Sequence, residues 1–147
     1  MRLTRESEYA LIGLAALAGR PPGVEEPLAT IAESHGIPRE FLSKIFQKLA
    51  RHGLLISGRG RGRGYALARR PEEISMCDVL EAVEGPEKLQ ECILWHEHCA
   101  DDDPCPLHHC LKEIRPALLD LLKDVTLADY VADSAHLELH LRRKARP

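Results

Sequence analysis

The stretch LATIAESHGIPREFLSKIFQKLARHGLLISGRGRGRGYALA, Leu28 to Ala68, decides the fold. Leu28, Ile31 and Ala32 are spaced to line one side of a helix from about Leu28 to Ser34. SHGIP (34–38) then makes a tight turn, because Gly36 tolerates positive φ and Pro38 suits a first helical turn. From about Pro38 to His52, Phe41, Leu42, Ile45 and Leu49 recur as a buried stripe, and Gly53 stands just past the end as a stop. The opposite face carries Arg39, Glu40, Ser43, Lys44, Gln47, Lys48 and Arg51. Helix, short turn and helix are the outline of a helix-turn-helix.

A basic helix face alone is what many solvated helices show, and the residues that follow change its meaning. LLIS (54–57) and YALA (65–68) read as short strands joined by GRGRGRG (58–64). Alternating glycines leave an unencumbered backbone, and Arg59, Arg61 and Arg63 add cations that reach phosphates or enter a minor groove. The glycines lack GxGxxG spacing and precede a strand, which excludes a dinucleotide fingerprint. Upstream, Thr4 is placed to cap a helix with Leu11, Leu14, Ala15 and Ala18 on one face, ending near Gly19 and Arg20 before Pro21. Downstream, Ser75 caps a helix whose Cys77, Val79, Leu80 and Val83, with Ile74 just before it, cover the winged core; Cys77 acts there as a small hydrophobe.

The net charge of −3 conceals a segregation. Residues 37–70 carry nine cations and one anion, whereas residues 71–138 carry four cations and seventeen anions. The basic block is suited to a polyanion and the acidic one is not. Glu6 and Glu8 precede the apolar run Ala10–Ala18 where a secretion signal would be positive, and no run approaches the ~20 apolar residues of a membrane span, so a cytoplasmic, membrane-free protein is expected. In that compartment five cysteines favour metal or redox chemistry over structural disulfides.

Four of those cysteines and four of the eight histidines crowd into CILWHEHCADDDPCPLHHC, Cys92 to Cys110. The pattern C-x6-C-x5-C-x2-H-H-C is looser than the C-x2-4-C knuckles that aim two sulfurs at one tetrahedral zinc ion. A multi-iron cluster is wider and accepts thiolates from a longer loop, so iron-sulfur ranks above zinc. Beyond it, Leu107, Leu111, Ile114, Leu118, Leu121 and Val125 follow spacings of 4, 3, 4, 3 and 4, an apolar seam that wants a partner helix and points to a homodimer. Pro116 is expected to kink that helix or mark a restart. TLADYV (126–131) reads as one further capped turn and 132–147 as a flexible tail. The fold class expected is mainly α with a small β-hairpin wing. A winged helix-turn-helix domain (1–84) precedes a cysteine-rich, cluster-binding loop with a dimerisation helix (85–131).

The residues LTRESEYAL, IPREFLSKIFQKLARHGLL, GRGRGRGYALAR, VLEAVEG, the three spaced cysteines, CPLHH and TLADYV, in that order, resemble the Rrf-two family of transcription regulators, with its IscR-, NsrR- and RirA-like branches. The resemblance spans roughly residues 1–131. It implies a homodimeric repressor or dual regulator that binds double-stranded operator DNA and carries a two-iron or four-iron cluster. Carried over by position, Cys92, Cys99 and Cys105 match the cysteine ligands, although the first gap is one residue longer than is usual. Three candidates stand for the fourth ligand: His108, favoured by spacing; Glu8 of the partner subunit, as in NsrR-like members; and Cys110. The reading heads would place Arg39, Glu40, Ser43 and Lys44 on base edges and Lys48, Arg51, Arg59, Arg61 and Arg63 on phosphates. A cluster-free regulator that binds zinc or senses through its thiols is the alternative. A redox enzyme is disfavoured by the absence of a CxxC pair and of a strand-helix active-site scaffold around the cysteines.

Overall fold

The computed structural model describes residues 3–21, 23–58, 64–91 and 104–132. Helices α1 (Arg5–Ala18), α2 (Leu28–His35) and α3 (Arg39–Arg51) come first, followed by strands β1 (Leu55–Ser57) and β2 (Tyr65–Leu67). A single 3-10 turn (Pro71–Glu73) leads to α4 (Met76–Glu84), α5 (Pro86–Gln90), α6 (His108–Asp124) and α7 (Leu127–Ala132). No described helix is long and apolar enough to cross a membrane. The architecture is mainly helical with a two-stranded hairpin, as the sequence predicts.

The turn between α2 and α3 forms as expected. Gly36 sits at φ 62°, ψ 31°, in the left-handed region that glycine occupies without cost, and Ile37 N–H bonds back to the Ala32 carbonyl at 2.9 Å. Strands β1 and β2 pair antiparallel with Leu55 opposite Leu67, Ile56 opposite Ala66 and Ser57 opposite Tyr65. A third segment closes the wing base, because Glu26 and Tyr65 exchange both backbone hydrogen bonds at 2.9 Å. Gly64 lies under that bridge, where a Cβ would collide with the Glu26 carbonyl and the Pro27 nitrogen. The glycine at this end of the wing therefore answers to close approach as well as to flexibility.

One apolar cluster joins these elements, with Leu14, Leu42, Ile45, Phe46, Leu49, Leu54, Ile74, Val79 and Leu127 fully buried. Two stripes differ from the sequence reading. In α1 the buried face is Ala10, Gly13, Leu14 and Leu17, with Ile12 beside it, while Leu11, Ala15 and Ala18 are half-buried. The helix is apolar on several sides, so spacing alone did not single out the inward one. In α3, Phe46 replaces Phe41 at the centre. The Phe46 ring fills the space above Gly13, where an added Cβ would lie 2.5 Å from Cε1, and meets Tyr65 edge-on at 5.0 Å. Phe41 is half-buried and meets Tyr9 edge-on at 5.7 Å.

The C-terminal helices depart further. The acidic connection after Gly85 contains the short helix α5, and α6 continues through Pro116 without a restart. Leu119 and Leu122 of α6 pack on Cys77, Leu80 and Leu89, which holds the helix against α4 and α5. Beyond α6 the chain returns to the winged domain. Met76 N–H bonds to Val125 O at 2.9 Å and Leu127 N–H to Ile74 O at 2.7 Å. Thr126 and Asp129 cap α7 reciprocally, and Leu127 enters the main core at 0% exposure. Leu127 of α7 thus shares one apolar cluster with residues of α1, α3 and α4.

Candidate nucleic-acid interface and ligand loop

Helix α3 is strongly two-sided. Leu42, Ile45, Phe46 and Leu49 anchor it, while Arg39, Glu40, Lys44, Gln47 and Arg51 are exposed and Ser43 is half-exposed. Its outer face carries few internal ties: Gln47 Nε2 donates to Ser43 Oγ at 3.4 Å, and Arg51 Nε to the Gln47 carbonyl at 3.3 Å. Polar side chains with their donors facing solvent are what a major-groove reading helix requires. Arg59, Arg61 and Arg63 lie outside the described residues, but both ends of the wing are fixed, with Gly58 N–H bonded to Gly64 O at 2.9 Å and Gly64 N–H to Glu25 Oε2 at 3.3 Å.

Lys48 is placed differently from the rest of its set. Its ammonium donates to the Glu6 carboxylate and to the Val83 carbonyl, the latter at 3.4 Å. Nearby, the Glu84 carboxylate accepts from Thr4 N–H at 2.8 Å, Thr4 Oγ1 at 2.6 Å and Ser7 Oγ at 2.7 Å. Burial raises the Glu84 pKa, but the bonds from Ser7 and Thr4 outweigh it and hold the group below the ordinary carboxylate value. Thr4 therefore marks the start of α1 as expected while its hydroxyl serves α4. These contacts of Glu6 and Glu84 were not legible in the sequence, because they bridge residues more than forty positions apart.

Just before α6 the chain turns at Cys105, with His108 N–H bonded to the Cys105 carbonyl at 2.9 Å. His108 opens α6 at 3% exposure, its ring edge-on to His109 at 5.6 Å. Cys105 is half-buried, and Cys110 is exposed. Cys92 and Cys99 lie outside the described residues, and among the described ones no three His, Cys, Asp or Glu side chains gather as for a metal ion. Glu8 is half-buried on α1, and its charge adds to burial in raising the Tyr130 pKa. The Cys77 thiol is pushed up by burial and by the Glu81 carboxylate, which makes it a poor thiolate and leaves it in the core as expected.

The donor set fits an iron-sulfur cluster in kind: three spaced thiolates and an imidazole, with no tight zinc knuckle. A second observation agrees. Arg115, seven residues beyond His108 and so on the same side of α6, has Nε and Nη2 buried without a hydrogen-bond partner. Buried guanidinium donors call for an anionic partner, which a thiolate-ligated cluster would be. Arg115 was not singled out in the sequence, where its seven-residue spacing from His108 is the signal that could have found it.

Residues 3–133 match the family described as Rrf2, iron-dependent transcriptional regulator. The chain is 32% identical over 145 residues to the transcriptional regulator NsrR of Bacillus subtilis, covering 98% of this chain and 99% of that one. It is 31% identical to IscR of Pectobacterium carotovorum, covering 99% of this chain and 88% of the relative. Among solved structures, CymR, the global cysteine regulator of B. subtilis, superposes with a TM-score of 0.73 at 24% identity, over 90% of this chain and 97% of that one. That likeness bears on the fold alone.

Proposed function

The chain belongs to the Rrf2 family of transcriptional regulators, and from that premise we propose that it is a homodimeric DNA-binding regulator whose operator affinity is set by an iron-sulfur cluster. Its relatives are transcription regulators rather than enzymes. The observation that carries the DNA-binding part is the outer face of α3. Arg39, Glu40, Ser43 and Lys44 stand at its front for base edges, with Arg51 and the wing arginines Arg59, Arg61 and Arg63 for phosphates.

Cys92, Cys99 and Cys105 are the residues that would hold the cluster, with His108 as the fourth ligand on its spacing from Cys105, in the turn that leads into α6. Glu8 of the partner subunit and Cys110 are the other candidates. When bound, the cluster supplies a site whose charge and integrity respond to iron supply, oxygen, nitric oxide or redox poise. The chain's own residues transmit that state. Cys105 lies in the turn before α6 and His108 begins it, α6 packs through Leu119 and Leu122 on α4, and α4 ends beside Lys48 of the reading helix. Dimerisation is supported by Leu107, Ile114 and Leu121, seven residues apart and 50%, 54% and 57% exposed on the side of α6 away from α4. A two-fold pair would set two reading heads about one DNA turn apart, roughly 34 Å.

The exposed thiol of Cys110 and the half-buried one of Cys105 favour one second reading, in which the same cysteines bind zinc or sense oxidants directly. Iron and acid-labile sulfide assays on anaerobically purified protein separate the two. The cluster reading requires both elements with a visible chromophore; zinc alone, or no metal, supports the other.

A further inference from the structure

We propose that Lys48 is a positioning residue of α3 rather than a phosphate contact, and that its pairing with Glu6 fixes how the reading helix is presented to DNA. This rests on α3 being the reading helix. Three elements meet at Lys48: the body of α3, the first turn of α1 through Glu6, and the end of α4 through the Val83 carbonyl. The Lys48 and Glu6 side chains are 35% and 32% exposed, so both are drawn well out of solvent. Glu6 is well sited, because a carboxylate in a first helical turn is favoured by the helix dipole. Glu84, next in sequence to Val83, clamps Thr4 and Ser7 of the same α1 end, which makes the region a polar knot under an otherwise apolar core.

The neutral Lys48–Glu6 pair releases no counterions from DNA, and swinging Lys48 out to a phosphate would strand the Glu6 carboxylate beside the Val83 carbonyl. Two roles therefore differ in sign. For a phosphate contact, Glu6→Gln frees the ammonium, removes a repelling charge and strengthens binding. For a positioning pair, Glu6→Gln loosens the helix and weakens binding.

The test uses the full chain as wild type, Lys48→Met, Glu6→Gln and the double variant. Each is titrated by fluorescence anisotropy, across a salt series, against a duplex that the wild type enriches from a random-sequence pool. Each single variant is expected to bind about fivefold more weakly, the low end of coupling between sites. The double variant should be no weaker than the singles, and the slope of log affinity against log salt should stay at the wild-type value. Glu6→Gln binding as tightly as wild type or tighter overturns the proposal, as does a slope reduced by about 0.9 in Lys48→Met, the signature of one lost phosphate contact. Should Lys48→Met fail to fold, the sign of the Glu6→Gln effect decides alone. If the wild type enriches no duplex, the reading of α3 has failed, and this proposal falls with it.

Discussion

The Glu84 carboxylate joins two helices by accepting three hydrogen bonds from the start of α1, and its depressed pKa makes that junction sensitive to acid. A group whose folded pKa lies below its unfolded one contributes stability above the unfolded value and loses it as pH falls through the folded value. The melting temperature of Glu84→Gln should therefore lie below that of wild type by a constant margin above about pH 5, and the gap should close below about pH 4.5. A gap that persists unchanged into acid would show that the carboxylate's charge is irrelevant to the junction. Gly64 makes an uncharged counterpart. An alanine there meets the Glu26 carbonyl and Pro27 nitrogen, which are backbone and yield little, so Gly64→Ala should destabilise by about 1–3 kcal/mol in urea unfolding and open the wing base.

Among elements, the proposed function has α3 and the wing divide the work of reading DNA. Lys44→Ala should change which sequences are preferred while leaving the salt slope intact. Arg61→Ala should weaken all sequences alike and lower the slope by about 0.9. If the two variants behave identically in a selection across a duplex library, that division is wrong. These elements were legible in the sequence because their signals are local: Gly36 at the turn, the Leu42/Ile45/Leu49 repeat and the Ser75 cap each need only a few neighbouring residues. What escaped was decided by tertiary packing. Phe46 outranks Phe41 only because Gly13 on another helix makes room for its ring. Lys48 looked like its neighbours on the basic face until Glu6 drew it inward. Helix α6 runs through Pro116 without the restart that was one of the two expectations there, with Leu119 and Leu122 anchoring its second half on α4 and α5. The cysteine pattern was legible as a donor set, whereas its arrangement depends on long-range placement that spacing does not encode.

The proposed dimer gives two faces of α6 different work: Leu119 and Leu122 pack the helix on α4 and α5, while Ile114 and Leu121, with Leu107 just before the helix, are exposed and would meet a second copy. Ile114→Glu with Leu121→Glu should yield a folded monomer by sedimentation equilibrium and abolish tight binding to a two-half-site duplex. A variant that sediments as a dimer would place the interface elsewhere. On the proposed function, the state of the ligand loop would reach α3 through α6 and α4, and a difference of ~3 kcal/mol between states, about a hundredfold in affinity, would suffice to switch an operator from bound to free. The most direct measurement is the affinity of anaerobically purified protein for its selected duplex before and after removal of iron by a chelator, with iron and sulfide assayed in the same samples. Coupling predicts iron and sulfide in the first sample and about a hundredfold change in affinity on their loss. Iron-free protein at the outset, or equal affinity before and after chelation, would contradict it.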